Sequence, residues 1–325
     1  NWVLKPSGTV TLQGFLRGAT TPNATLTLDL SGWTNTAQIT NLYQCFYTSE
    51  FTSINLTGWD TSGATTMAYM FYQITELTEI VGLSSLKGDS VTTLEQMFNG
   101  CKNLSFASHN FDTTAWGASL TNLTNLKNTF YQCSKDTPST APNVTNWHTD
   151  GVTDMTSTFH DAKFTTALDL SSWDFSSTTT LYRFIRGCTG TTSITFSNIS
   201  SSCTSMAQFA YQMGDITTII FDATCNLSGI VSFSSAFSSA TTLTTLTFDA
   251  SVSFAGVTTW ANAFTSVTLN VASYDAILVR NDATNSNVVT LGAGSSKYSC
   301  ATSAAATARA ALITAGWTIS DGGCI

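Results

Sequence analysis

The sequence predicts a repeat protein, an elongated solenoid of nine units that each supply a short parallel strand and a short helical turn. Three observations predict this fold. A phenylalanine recurs about every 25–32 residues, an apolar residue precedes it by three or four positions, and a strand-like stretch lies upstream. A unit this short cannot bury its own apolar face, so neighbouring units must stack to form one continuous core.

The recurrent phenylalanine is expected to form the structural core of the repeats. The nine positions are Phe46, Phe71, Phe98, Phe130, Phe159, Phe184, Phe209, Phe237 and Phe264. The apolar partners that precede them are Leu42, Met67, Leu94, Leu126, Met155, Leu181, Met206, Phe233 and Trp260. A spacing of three or four residues places both side chains on one face of a helical turn.

The strand of each unit is predicted from alternation of apolar and polar residues. Leu28-Asp29-Leu30 and Ile54-Asn55-Leu56 are examples, and alternation is typical of a strand with one buried face. Five units carry a tryptophan eleven to fourteen residues before the phenylalanine: Trp33, Trp59, Trp116, Trp147 and Trp173. The tryptophan is lost in the later units, whose strands end in phenylalanine.

The pattern divides the chain into three regions. Residues 1–25 supply an N-terminal covering strand, with Val10 to Phe15 as the candidate. Residues 26–270 hold the nine units, and residues 271–325 form a C-terminal cap. An alanine-rich helix is expected over 303–315, with Ser303 as N-cap and Gly316 as the stop, before a final strand from Trp317 to Ile319.

Several of these segments resemble the BspA-like leucine-rich repeats. The resemblance rests on Leu56-Thr57-Gly58-Trp59-Asp60-Thr61-Ser62 with Met67 and Met70-Phe71, and on Met97-Phe98-Asn99-Gly100-Cys101-Lys102-Asn103-Leu104. It implies a leucine-rich-repeat-like solenoid, and the tail after residue 271 resembles the α/β C-terminal cap of such arrays. Similar arrays occur in bacterial surface adhesins and in bacteriophage structural or tail proteins, so the resemblance implies attachment.

The eight cysteines give two expectations. Cys300 and Cys324 bracket the cap helix and final strand, and we expect a disulfide there, which implies an oxidising environment. Cys101, Cys133 and Cys188 share one column of the stack. Buried thiols are expected at these positions, with a bridge between Cys101 and Cys133 as the alternative.

Composition and motifs argue against several classes of function. The net charge is −8 and lysine and arginine do not cluster, which disfavours nucleic acid and anionic membranes. No apolar run is long enough to insert into a membrane. The sequence has no metal-binding, cofactor-binding or catalytic motif, so no enzyme is expected. Asp60 and Asp174, which follow tryptophans, are read as turn caps, with a calcium-binding carboxylate row as the alternative.

The irregular stretch 99–148 is the predicted binding region, because it holds the longest gaps between units. Its candidate binding residues are His109, Trp116, Trp147 and His148. The expected function is non-enzymatic attachment of an extracellular protein, on a virion or a cell surface, to a receptor protein or glycan. The alternative is a structural virion component, or a filament subunit that packs through its solenoid as a homo-oligomer. The chain opens on Asn1 rather than Met, which leaves a processed N-terminus as an open expectation.

Overall fold

The computed structural model describes residues 8–20, 26–107, 113–300 and 302–325. The chain divides into two compact units, Asn1–Trp173 and Asp174–Ile325, called here the N-terminal body and the C-terminal body. The predicted boundaries at residues 25 and 270 lie within these two bodies.

The N-terminal body is built from very short parallel strands. They are β1 (Val10–Thr11), β2 (Thr27–Asp29), β3 (Ile39–Asn41), β4 (Ser53–Asn55) and β5 (Glu79–Val81). Strands β2, β4 and β5 form one parallel sheet, and β1 pairs with β3 in another. The body also holds two 3₁₀ helices, Thr36–Gln38 and Leu83–Ser85, and the short helix α1 (Thr114–Ala118).

The C-terminal body repeats the arrangement and adds longer helices. Its elements are β6 (Ser193–Phe196), β7 (Thr218–Phe221), β8 (Thr245–Phe248), α2 (Val271–Thr284), β9 (Thr290–Gly292), α3 (Ala304–Thr314) and β10 (Thr318–Ser320). Strands β6, β7 and β8 form a parallel sheet, and β9 pairs with β10 in parallel.

A second column of parallel pairs shows that successive repeats stack. In the N-terminal body, isolated bridges link Asn41, Thr66, Thr93, Asn125 and Asp154 in turn. In the C-terminal body they link Thr180, Ser205, Ser232 and Thr259. These pairs confirm a repeat fold of short parallel strands. That all nine repeats form one solenoid stays a prediction.

The predicted helical turn before each phenylalanine is wrong. In the described residues these segments are not helices but tight turns in which backbone donors alternate between local and inter-coil acceptors. The N–H of Cys45 donates to Leu42 (3.1 Å) and that of Tyr47 to Gln44 (3.2 Å), whereas Phe46 donates to Met70 of the next coil (2.9 Å). An i, i+4 apolar pair therefore arises here without a helix.

Each of these turn segments contains two residues in the left-handed conformation, three and seven positions after the bridge residue. Examples are Gln44 (φ 56°) and Thr48 (φ 52°), and Gly100 (φ 73°) holds the second position in its repeat. This conformation is unfavourable for most side chains, so the inter-coil hydrogen bonds must offset its cost. Glutamine fills the first position in three of the nine repeats.

All nine repeat phenylalanines are fully buried, but two are displaced by one position in the column. By backbone pairing, the equivalents of Phe46 in the sixth and seventh repeats are Ile185 and Ala210, which donate to the next coil. Phe184 and Phe209 instead occupy the preceding slot. They are the two phenylalanines that follow their apolar partner by three residues rather than four.

The N-terminal covering strand is shorter than predicted. Only Val10–Thr11 is a strand, and the chain then makes another turn segment. Gly14 (φ 63°) and Gly18 (φ 67°) take the two left-handed positions, and their N–H groups donate to Tyr43 (3.0 Å) and Tyr47 (2.7 Å). Residues 11–18 are thus a partial additional coil.

The C-terminal cap has the predicted helix and strand. Ser303 caps α3 by accepting from the N–H of Ala306 (3.1 Å), and Gly316 (φ 100°) follows its end. A disulfide joins Cys300 to Cys324, with Cα atoms 4.9 Å apart. The pairing ties the residues before α3 to the end of the chain.

The other six cysteines are buried thiols. The alternative of a bridge between Cys101 and Cys133 is therefore wrong. The Cys101 thiol instead donates to the Phe71 carbonyl (3.0 Å). Burial raises the pKa of Cys203 to about 12 and that of Cys225 to about 11, which keeps these thiols protonated and unreactive.

Candidate binding surface

Four half-exposed tyrosines form a continuous patch on the turn segments of the N-terminal body. We call Tyr43, Tyr47, Tyr69 and Tyr72 the tyrosine surface. Tyr47 and Tyr72 stack with ring centroids 4.7 Å apart, and Tyr43 meets Tyr69 edge-on at 5.4 Å. The coil spacing produces the Tyr47–Tyr72 stack, because these two residues hold equivalent positions of adjacent repeats, one strand spacing apart.

Amide side chains border the tyrosine surface and hold its phenols in place. Gln96 donates to the Tyr69 hydroxyl (2.6 Å), and Gln73 donates to Asn99 (3.3 Å). At the other end, the Arg17 guanidinium lies 4.9 Å from the Tyr47 ring centroid and donates to Gln44 (3.1 Å). The surface is therefore largely neutral and rich in hydrogen-bond donors and acceptors.

The phenols of Tyr69 and Tyr72 remain uncharged at physiological pH. Burial, followed by the nearby Glu95 carboxylate, raises the pKa of Tyr69 to about 12. Burial likewise raises the pKa of Tyr72. Neutral phenols both donate and accept hydrogen bonds, and their rings provide apolar contact area, a combination that suits recognition.

The structure places the sequence-predicted binding residues differently. Trp116 and Trp147 lie in the core, 0% and 3% exposed, and pack edge-on with centroids 5.4 Å apart. Their large apolar rings fill the space between coils, and contact of these two residues with a ligand stays a prediction. His148 is exposed, and His109 lies outside the described residues.

Trp147 and His148 do meet at one edge of a shallow hollow of about 340 Å³. Thr145, Asn146, Ala118 and Ser172 complete its lining. The Trp147 indole N–H is itself buried, so a molecule in the hollow would reach only the polar rim. The hollow is thus a weaker candidate than the tyrosine surface.

The recurrent aspartates cap turns. Asp60 accepts from the N–H of Ser62 (3.0 Å) and Asp174 from that of Ser176 (2.7 Å). Within the described ranges, no cluster of three or more histidine, cysteine or carboxylate side chains could hold a metal. Over the same part of the chain, no helix has both the length and the hydropathy needed to cross a bilayer.

Sequence reasoning missed the tyrosine surface although a signal was available. Tyr47, Tyr72 and Tyr131 each directly follow a repeat phenylalanine, and seven of the nine tyrosines fall within turn segments. In a helix this neighbour would point away from the phenylalanine's face. In the turns, the residue after the phenylalanine points outward beside the equivalent residue of the next coil. The periodicity of the tyrosines therefore predicts a row of stacked rings.

The backbone geometry and the sealed aromatic core define a repeat protein of stacked short parallel strands. A family model described as "Mycoplasma protein of unknown function, DUF285" matches residues 13–138 and 110–223, and the chain belongs to this family. The match supports the resemblance to BspA-like leucine-rich repeats. The matched residues hold seven of the nine repeat phenylalanines and end before Phe237 and Phe264.

Two further comparisons add little. No curated protein matches the chain. A solved structure, described as a leucine-rich repeat protein from Bacteroides ovatus, is similar over 99% of this chain and 88% of its own, at 14% identity and a TM-score of 0.22. A TM-score this low carries no structural argument.

Proposed function

We propose that this chain is a non-enzymatic attachment protein, displayed outside a cell or on a virion, that recognises a surface protein or glycan through the tyrosine surface. The observation that carries the proposal is the ordered patch of four half-exposed tyrosines bordered by amides. Tyrosine gives a large contact area at low entropic cost, and amides adapt their hydrogen bonds to a partner. The disulfide of the cap supports an extracellular location.

Binding to a printed glycan array and to cell-envelope extracts tests this proposal. The purified chain should bind at least one preparation, and Tyr47→Ala with Tyr72→Ala should weaken that binding by roughly tenfold or more, the scale of a lost hot spot. Circular dichroism should show that the variant keeps its fold, because both rings are only partly buried.

A matched control removes exposed apolar side chains elsewhere. Val288 and Ile313, 67% and 45% exposed, lie far along the sequence in the C-terminal body. Val288→Ala with Ile313→Ala should leave binding unchanged. If both double variants lose binding equally, or if the chain binds nothing, attachment through the tyrosine surface is refuted.

The same preparation tests the structural alternative. A filament or virion component that packs through its repeats would associate with itself and bury a large area between copies. Sedimentation of the pure chain as a stable oligomer that the tyrosine variant disrupts would assign this surface to assembly rather than attachment.

A further inference from the structure

Two arginines in a turn segment of the C-terminal body share one neutral acceptor. Arg183 Nε donates to Gln208 Oε1 (2.8 Å), and Arg186 Nη1 donates to the same oxygen (2.7 Å). Among the described residues, neither arginine forms an ion pair with a carboxylate. Two positive groups thus converge on an amide oxygen that cannot neutralise them.

Both guanidinium groups are held in place by aromatic rings. Arg183 lies 4.7 Å from the ring centroid of Tyr182, and Arg186 lies 4.7 Å from that of Tyr211. Arg186 Nε is buried and has no acceptor within the described chain. An oxyanion between the two groups would accept from the guanidinium nitrogens other than this buried Nε, and its charge would relieve their mutual repulsion.

We propose that Arg183 and Arg186 form a subsite for the carboxylate or sulfate group of an acidic saccharide. This site is independent of the tyrosine surface, which lies in the N-terminal body. The half-exposed phenols of Tyr182 and Tyr211 and the amide of Gln212 offer donors and acceptors to sugar hydroxyls.

The surroundings favour a saccharide over the other anionic partners. The neighbouring apolar residues Leu181, Phe184 and Ile185 are buried, so the patch lacks the apolar centre of a protein interface. Nucleic acid would need many cationic contacts, whereas this chain carries a net charge of −8. A single arginine pair matches an isolated acidic group.

Titration of the full chain with glucuronic acid, glucose 6-sulfate and glucose at low salt tests the proposal. Glucose differs from the first probe only by the carboxylate, and from the second only by the sulfate. We expect one or both acidic sugars to bind roughly tenfold tighter than glucose, and added salt to weaken only that binding. Comparing the two acidic sugars identifies the preferred oxyanion. Equal binding of all three sugars, or none, would overturn the proposal without any variant.

The variant Arg183→Gln with Arg186→Gln should lose roughly tenfold in affinity for the acidic sugar. Glutamine occupies the left-handed position of Arg183 in other repeats, as at Gln44 and Gln96, so the backbone should tolerate it. The control Arg280→Gln with Lys297→Gln changes the net charge equally and should keep full affinity. Should the double variant fail to fold, the two single variants decide in the same way.

A glutamate-rich peptide completes the test. If it binds as tightly as the acidic sugars and competes with them, the ligand is an acidic protein segment and the saccharide assignment is wrong. If it binds much more weakly, the saccharide assignment stands.

Discussion

The two bodies fill the same kind of coil with aromatic residues at different positions. In the N-terminal body, leucines such as Leu30 and Leu56 directly follow the strand, and tryptophans such as Trp59 fill the loop after them. In the C-terminal body the strand ends in phenylalanine, and smaller residues take the loop position. The strand phenylalanines are Phe196, Phe221 and Phe248, and the loop residues are Ile199, Cys225 and Val252.

One hydrogen bond identifies the loop positions as equivalent. Trp59 Nε1 donates to the carbonyl of Leu30, the strand residue of the preceding coil (3.1 Å). In the C-terminal body the Cys225 thiol donates to the carbonyl of Phe196, the corresponding strand residue (3.1 Å). The leucine and loop tryptophan of one body are therefore replaced in the other by a strand phenylalanine and a smaller loop residue.

The largest expected effect comes from the phenylalanine stack of the N-terminal body. Phe98 packs between Phe71 and Phe130, with centroids 5.6 and 5.4 Å away. The C-terminal body already holds alanine at one equivalent position, Ala210, where the Phe196 and Phe209 rings meet nearby at 5.1 Å.

Because Phe98 fills the space between two stacked rings, Phe98→Ala should leave a cavity and cost about 3–5 kcal/mol of unfolding free energy. Urea denaturation measures this, with Phe98→Leu as the milder control. A cost below about 1 kcal/mol would mean that the N-terminal body repacks as freely as its counterpart, and the comparison would fail.

The cap of the C-terminal body gives the next largest effect, through a charged cluster. Asp321, whose side chain is 3% exposed, accepts from Arg309 Nε (2.8 Å) and from the Tyr274 hydroxyl (2.7 Å). Asp321→Asn should cost about 1.5–3 kcal/mol, the contribution of hydrogen bonds to a charged group. Asp282→Asn, at an exposed aspartate of α2, is the matched control and should have little effect.

The same carboxylate gives a signed pH dependence. Burial alone would raise the pKa of Asp321, but the hydrogen bonds from Arg309 and Tyr274 outweigh it and hold that pKa below its ordinary value. A carboxylate whose pKa is lower in the folded than in the unfolded chain stabilises the fold at pH values above its unfolded pKa. The contribution of Asp321 to the free energy of unfolding is therefore complete above about pH 4 and is lost as the pH falls further. Asp321→Asn should reduce this acid sensitivity in urea titrations at neutral and acidic pH, and unchanged sensitivity would contradict it.

Exchanging the aromatic pattern between bodies tests whether loop and strand positions are coupled. Phe221→Leu should cost about 1–2 kcal/mol through a cavity, and Cys225→Trp about 1–3 kcal/mol through overpacking. The double variant restores leucine before the loop and tryptophan within it, as at Leu56 and Trp59 but with one more residue between them, so its cost should fall below the two single costs combined by about 0.5–3 kcal/mol. Strict additivity in a double-mutant cycle would show that the two positions do not share one space.

The repeat and its buried residues could be predicted from sequence because both depend on periodicity. The phenylalanine column, the parallel strands and the cap helix of Ala304–Thr314 follow from spacing and capping residues alone. The turn conformation could not be predicted. An i, i+4 apolar pair fits a helix, and it fits equally well two successive turns that each contain one residue in the left-handed conformation. Only the inter-coil hydrogen bonds distinguish them.

The binding residues were harder to predict because burial depends on the neighbouring coil. Trp116 and Trp147 lie in an irregular region, which favours a binding role, yet the stacked coils bury both indoles. The one-residue displacement of Phe184 and Phe209 was visible in the sequence as a spacing of three. Its consequence, a phenylalanine moved into the slot beside the strand, depends on packing with Phe196.

The smallest expected effect concerns an exposed threonine ladder that only the C-terminal body interrupts. In the N-terminal body the N–H and hydroxyl of Thr92 both donate to the Thr65 carbonyl, at 3.0 and 3.2 Å. In the C-terminal body Val231 stands at the equivalent position, 45% exposed, and only its N–H donates, to Thr204 (2.8 Å).

Val231→Thr should therefore stabilise by about 0.5 kcal/mol, and Thr92→Val should destabilise by a similar amount, since a solvent-exposed hydrogen bond lies at the low end of the usual range. Valine and threonine have nearly the same shape, and the two variants exchange a methyl group for a hydroxyl in opposite directions. The urea midpoint should therefore rise in Val231→Thr and fall in Thr92→Val. A shift of the same sign in both variants would show that β-branched packing, rather than the hydroxyl, determines stability along this edge.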